Sequence, residues 1–179
     1  MPEIVPGKPP SGWLLSADGR KSCAALAERL REHQPQIIIT SSEPKANETG
    51  LLLSEALGIP FETAPGLHEH QRDTASFLND RDKWNDLVAD FFRRPDELVF
   101  GEETATQARK RFSAAMDAVL DQHPDETIVI VCHGTVISLY TAQVAGIDPF
   151  PLWQRLHLPS HVVFSRPELG LLEVVEKIS

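Results

Sequence analysis

Three short segments hold the residue types on which chemistry could rest. Cys132-His133-Gly134-Thr135 follows an apolar, β-branched run and precedes a helical pattern. That order puts a histidine and a glycine at a strand end, where the backbone N–H groups opening the next helix can approach an anion such as phosphate. Thr40-Ser41-Ser42 closes a second apolar run and leads to Lys45 at the start of another helical pattern. Gly66-Leu67-His68-Glu69-His70 lies in a polar stretch, where a carboxylate flanked by two histidines could move protons with a pKa set by burial and neighbours.

Each segment also has a plainer reading. His133 alone is equally a capping or packing residue, and residues 66–70 alone read as a solvated polar loop. His68 and His70 would share one face of an extended strand, but two histidines without further spaced ligands are a weak metal pattern. Arg72 stands where a His-Glu-x-x-His motif needs its second histidine, so no metal and no cofactor is expected. Cys132 closes an apolar strand, with no arginine in the following helix to hold a phosphate, and reads as a core residue. Gly-x-Ser-x-Gly, Gly-x-Gly-x-x-Gly and Gly-x-x-x-x-Gly-Lys patterns do not occur, which leaves covalent serine chemistry and nucleotide cofactors without support.

The elements that must position these groups are legible. Ser16 caps a helix to about Glu32, whose Cys23, Leu26, Ala27 and Leu30 recur at i, i+3, i+4, i+7. Gln36 to Thr40 is short, apolar on both faces and suited to a covered parallel strand. Pro44 opens a helix that Gly58 closes as a left-handed cap. Phe61 to Thr63 is a short strand, and Asp80 to Arg93 and Thr104 to Gln122 are amphipathic helices. Thr127 to Cys132 is the strongest strand, a helix runs from there to Gly146, a short segment surrounds Trp153, and His161 to Ser165 and Leu171 to Glu176 are strands. Strands alternating with helices predict an α/β three-layer sandwich around a mostly parallel sheet.

Composition narrows the function classes. The 179 residues carry 17 Lys and Arg against 26 Asp and Glu, a formal charge of −9. No basic footprint for nucleic acid or an anionic membrane surface is present, and no apolar run is long enough to span a bilayer. The first residues show no basic-then-apolar pattern of a signal peptide, and two cysteines make no disulfide framework. One domain over residues 1–179, cytoplasmic, with no nucleic-acid or membrane partner, is the expectation. Oligomeric state is not legible.

Read in order, five segments resemble the histidine phosphatase superfamily, the phosphoglycerate-mutase-like fold. Trp13 to Gly19 with Ala24-Ala25-Leu26-Ala27 is similar to the region after that family's first motif. Thr40-Ser41-Ser42-Glu43-Pro44-Lys45-Ala46-Asn47-Glu48-Thr49 resembles its Ser-Ser-Pro…Arg-Ala-x-Gln-Thr segment. Gly66-Leu67-His68-Glu69 resembles its proton-donor loop, Gly101-Glu102-Glu103 the lead into its long helix, and Val131-Cys132-His133-Gly134 its second histidine motif.

The resemblance implies metal-independent phosphomonoester hydrolysis through a phosphohistidine, with a small phosphorylated substrate or inorganic phosphate as ligand. Glu69 would protonate the leaving oxygen, and His133 would stabilise charge on the transferring group. Lys45, Gly134 and Thr135 would hold phosphate. Lys45 replaces an arginine of the family, which keeps the charge and gives up the bidentate fork.

The family's nucleophile sits in an Arg-His-Gly tripeptide at the end of its first strand. None of the histidines at 33, 68, 70, 123, 133, 157 and 161 follows an arginine. The first strand is expected to be missing from this chain, which starts after it as an N-terminally truncated member of the family. The neighbouring strands would then keep unpaired backbone groups. A catalytically degenerate member that binds phosphorylated ligands, a mutase passing the phosphate on, and His68 or His70 as a replacement nucleophile are the alternatives. Substrate identity would depend on the loop between Leu67 and Arg94.

Overall fold

A computed structural model describes residues 1–75 and 78–178, leaving two residues of the 67–94 segment outside the described set. Local signals account for most element ends. The Ser16 hydroxyl accepts the Gly19 N–H at the start of α1 (Ala17–Arg31). Pro44 opens α2 (Pro44–Leu57), and Gly58 closes it at φ 72°, a conformation that favours glycine. The Asp80 carboxylate caps α3 (Arg81–Arg93), and Thr104 with Gln107 forms a capping box on α4 (Ala105–Gln122). The remaining helices are α5 (Gly134–Ala145) and α6 (Pro149–Arg155).

Three parallel strands, β1 (Ile37–Thr40), β2 (Phe61–Thr63) and β3 (Ile128–Val131), form one sheet in the order β2-β1-β3. β1 is central and buried along its whole length. Its side chains alternate between faces. Ile38 packs with Leu26, Leu30 and Leu53 of α1 and α2, whereas Ile37 and Ile39 join Phe112, Val119, Val136 and Tyr140 of α4 and α5. Helices on both faces of the sheet give the three layers. A further apolar cluster joins Val88, Phe91 and Phe92 of α3 to Ala105 and Ala108 of α4 and Leu139 of α5, so α3 covers α4 and α5 rather than the sheet.

β4 (His161–Phe164) and β5 (Leu171–Val175) form a separate antiparallel pair. β3 is thus an edge strand despite four apolar residues, all of them half-exposed. A cleft of about 1310 Å³ opens there, and all residues of β3 and of β4 are among those that line it. Among the described residues no helix is long and apolar enough to cross a membrane.

Candidate active site

The cleft ends at the carboxyl edge of the parallel sheet, where open α/β sheets bind ligands. Lys45, Glu69, His133, Gly134 and Thr135 all line it. The structure therefore brings together five residues spread over ninety positions of the chain.

His133 is the N-cap residue of α5 and is buried. Its Nε2 lies 2.8 Å from the Ser41 hydroxyl, at the end of β1, and 3.6 Å from a Glu43 carboxylate oxygen. The parallel pairing of β1 with β3 sets this contact, because Thr40 stands opposite Val131 and both chains continue past the sheet side by side. Burial lowers the His133 pKa and the cations Lys45 and Arg72 add to that, outweighing Glu43 and Glu69. The ring is neutral near pH 7.

Glu69 sits at the N-terminus of α5. Its carboxylate accepts the N–H groups of Thr135 at 3.1 Å, Val136 at 3.3 Å and His70 at 2.9 Å. A carboxylate there answers both the unpaired donors and the positive end of the helix dipole. Burial pushes its pKa up, but Arg72, His133 and these N–H groups prevail and hold it below the ordinary carboxylate range. Glu69 is therefore ionised, and it occupies the Thr135 amide that the sequence suggested for phosphate.

Lys45 does not stand open either. Its Nζ donates to the Pro10 carbonyl at 2.9 Å and pairs with the Glu43 carboxylate. Glu43 is the residue that sequence reasoning missed. Buried just before α2, it contacts Lys45, approaches His133 and accepts the Glu69 N–H at 2.7 Å. A glutamate within an otherwise small, polar strand-end loop was the available signal.

Arg111 was missed as well. From α4 it donates to the carbonyls of Gly66, His68 and Glu69 at 2.7, 2.9 and 3.1 Å and pairs with Glu103 at 2.6 Å. Gly101-Glu102-Glu103 holds the same loop from beyond Glu69. Glu102 N–H donates to the Gln71 carbonyl, the Glu102 carboxylate accepts Asp73 and Thr74 N–H, and Glu103 accepts Gln71 N–H. Gly101 has φ 76°, and a Cβ there would stand 2.3 Å from the Gln71 oxygen, so this approach requires glycine.

The two flanking histidines are structural neighbours of Glu69. His70 is buried between Phe91 and Phe100, with Nε2 3.0 Å from the Glu103 carbonyl. His68 Nδ1 lies 3.0 Å from the Glu69 carbonyl. Cys132 packs against the apolar cluster of α4 and α5, and burial pushes its thiol up to about 12, so it carries no thiolate. Arg72, also missed, stands 4.9 Å over the Trp84 ring and lines the cleft.

Comparison with known proteins gives one family. The description "Histidine phosphatase superfamily (branch 1)" matches residues 9–168. The chain is 25% identical over 137 residues to the uncharacterized phosphatase PhoE of Bacillus subtilis, covering 75% of this chain and 66% of that protein. It spans just under two thirds of the length of the curated relatives it matches. Among solved structures it is similar to Bacillus stearothermophilus YhfR, with TM-score 0.70, 21% identity and coverage of 94% and 87%. A mycobacterial glucosyl-3-phosphoglycerate phosphatase solved with VO3 gives TM-score 0.70, 22% identity and coverage of 92% and 87%. That phosphatase was also solved with inorganic phosphate. These structural likenesses concern the fold.

Proposed function

The chain belongs to the histidine phosphatase superfamily, and from that premise we propose that it serves metal-independent phosphomonoester hydrolysis through a phosphohistidine. The observation that carries the reading is the convergence of Glu69, His133 and Lys45 at the end of one cleft. Phosphate and vanadate, held by the mycobacterial relative, are the ligands expected there.

The geometry supports the roles that the family resemblance implies. Phosphate enters beside His133, within reach of Lys45, Arg72 and the start of α5. Its negative charge raises the Glu69 pKa, so that substrate binding itself makes this carboxyl able to hold the proton it delivers to the leaving oxygen. His133 donates a hydrogen bond to the transferring group, and Ser41 fixes its ring. Arg111 and Glu102 keep the Glu69 loop in place.

On this reading the nucleophile comes from a further segment, since the family's nucleophile follows an arginine and no histidine in this sequence does. A groove lined by β3 and β4, each terminal in its sheet among the described residues, is a seat for an extended segment, and such a segment would end beside His133. The site's charges support the same reading. Glu43 offsets Lys45 and Glu69 offsets Arg72, which leaves little net positive charge for a phosphate dianion.

The test compares hydrolysis of an aryl phosphate by the 179-residue chain with that of a version carrying an apolar strand ending in Arg-His-Gly ahead of Pro2. The expected result is near-background turnover by the former, and activity with an acid-labile phosphoenzyme in the latter. Robust turnover by the 179-residue chain, lost in His68→Ala or His70→Ala, would place the nucleophile in the Glu69 loop instead. An extended protein that binds vanadate yet turns over no phosphomonoester would favour a phospho-ligand-binding protein, and transfer to an added alcohol in preference to water would mark a mutase.

A further inference from the structure

Away from the catalytic end of the cleft, three side chains of metal-ligating type meet. His33 follows the end of α1, His161 opens β4 and Glu173 lies in β5. Their ligand atoms all lie within 4.8 Å of one another. The topology accounts for the meeting. His161 pairs opposite Val175 and Val163 opposite Glu173, so His161 and Glu173 are diagonal neighbours on one face of the hairpin. Val175 shares an apolar cluster with Leu26 and Leu30 of α1, so this is the face that α1 covers.

A second observation points to a ligand. His161 Nδ1 is buried and has no hydrogen-bond partner among the described residues, although buried polar side-chain atoms nearly always have one. The His33 and His161 rings stand edge to face, with centroids 5.9 Å apart at 72°. Arg29, the cation on the adjoining turn of α1, is paired with Glu32 at 3.5 Å, which tempers its repulsion of a metal.

We propose that His33, His161 and Glu173 bind a zinc ion, with water as the fourth ligand, and that the ion ties the end of α1 to the β4–β5 hairpin. Two imidazoles and one carboxylate are a donor set that suits zinc. A tetrahedral site with ligand bonds near 2.0–2.1 Å places its ligand atoms about 3.4 Å apart. Glu173 is exposed, so its side chain can close the difference by rotation. The site is structural and takes no part in phosphoryl transfer.

Titration of the chelator-stripped 179-residue chain with zinc chloride, followed by calorimetry, tests the assignment. One equivalent should bind, and the melting temperature should rise with zinc concentration. His161→Ala and Glu173→Gln should each weaken binding by at least about the 10–100-fold that loss of an outer-shell partner costs. Glu173→Gln alters an exposed carboxylate only, so it remains readable if His161→Ala folds poorly. Cobalt chloride in place of zinc should give visible bands of a tetrahedral ion without thiolate charge transfer in the near ultraviolet. Absence of stoichiometric binding, affinity unchanged in Glu173→Gln, or a thiolate band reporting Cys23 or Cys132 would each overturn the proposal.

Discussion

Replacing Arg111 by Met should remove the main support of the Glu69 loop. The guanidinium donates to three backbone carbonyls, those of Gly66, His68 and Glu69, and to both Glu103 carboxylate oxygens. Its side chain is 20% exposed and that of Glu103 7%, so screening by solvent is limited. Methionine keeps the stem volume and deletes the charge, which leaves the buried Glu103 carboxylate without its cation. Breaking a buried pair in this way costs about 3–5 kcal/mol, and the orphaned carbonyls move the expectation to the upper end of that range. Against a total stability of about 5–15 kcal/mol, the variant should be severely weakened.

Urea unfolding at pH 7 reads the loss directly. The double variant Arg111→Met/Glu103→Leu separates the orphaned charge from the lost carbonyl bonds, because it removes the uncompensated carboxylate as well. It should recover a substantial part of the single variant's deficit, with a coupling of about 1–3 kcal/mol between the two positions. A loss below about 1 kcal/mol in Arg111→Met, within the range of a surface pair, would refute the reasoning. So would a double variant whose losses simply add.

Two further outcomes follow from charge. His70 and His133 have pKa values below the usual 6.5 and Glu69 below the usual 4.5, so in each case the unfolded chain takes up the proton first. Stability should fall as pH drops below about 6.5 and fall again below about 4.5, and thermal unfolding between pH 8 and 4 that showed a rise anywhere in that interval would contradict this. Lys45→Ala should weaken phosphate binding and Glu43→Gln should strengthen it, each by about 1–3 kcal/mol, and calorimetric titrations giving the same sign for both would show that the Glu43–Lys45 pair does not face the bound anion.

The elements were legible because each is specified by residues close in sequence. Ser16, Asp80 and Thr104 hold caps, Pro44 opens a helix and Gly58 and Gly146 close two. α6 shows the limit of that reading. Asp148-Pro149 is a cap followed by a helix-opening proline, yet the apolar residues around Trp153 are too few to show a helical period. The convergence of Lys45, Glu69 and His133 was legible through family resemblance rather than through local signals. Glu43 and Arg111 were not, since the Glu69 N–H that Glu43 accepts lies 26 residues away and the Gly66 carbonyl that Arg111 binds lies 45 away. Arg111 does flank the buried stripe of Ala108, Phe112 and Met116, and a charge at the margin of such a stripe is a candidate for a buried pair.

The unusual features of this structure share one location. β3 has the composition of a covered strand, yet it is terminal in its sheet among the described residues, and it and β4 both line the cleft. Unpaired, half-exposed backbone on an apolar strand is a cost that proteins normally remove by pairing or covering the edge. At the carboxyl end of the same groove, Glu43 and Glu69 neutralise Lys45 and Arg72, and the α5 amides are taken by Glu69. An anion arriving there meets Lys45 and the Thr135 and Val136 amides already engaged. On the proposed function, a single extended element in the groove would answer both, because its backbone would pair with β3 and β4 while an arginine and a histidine at its end would bring positive charge and a nucleophile. Pairing energy and phosphate affinity should therefore rise together when such an element is supplied. An element that stabilised the fold without tightening phosphate binding would show that the edge and the site are independent.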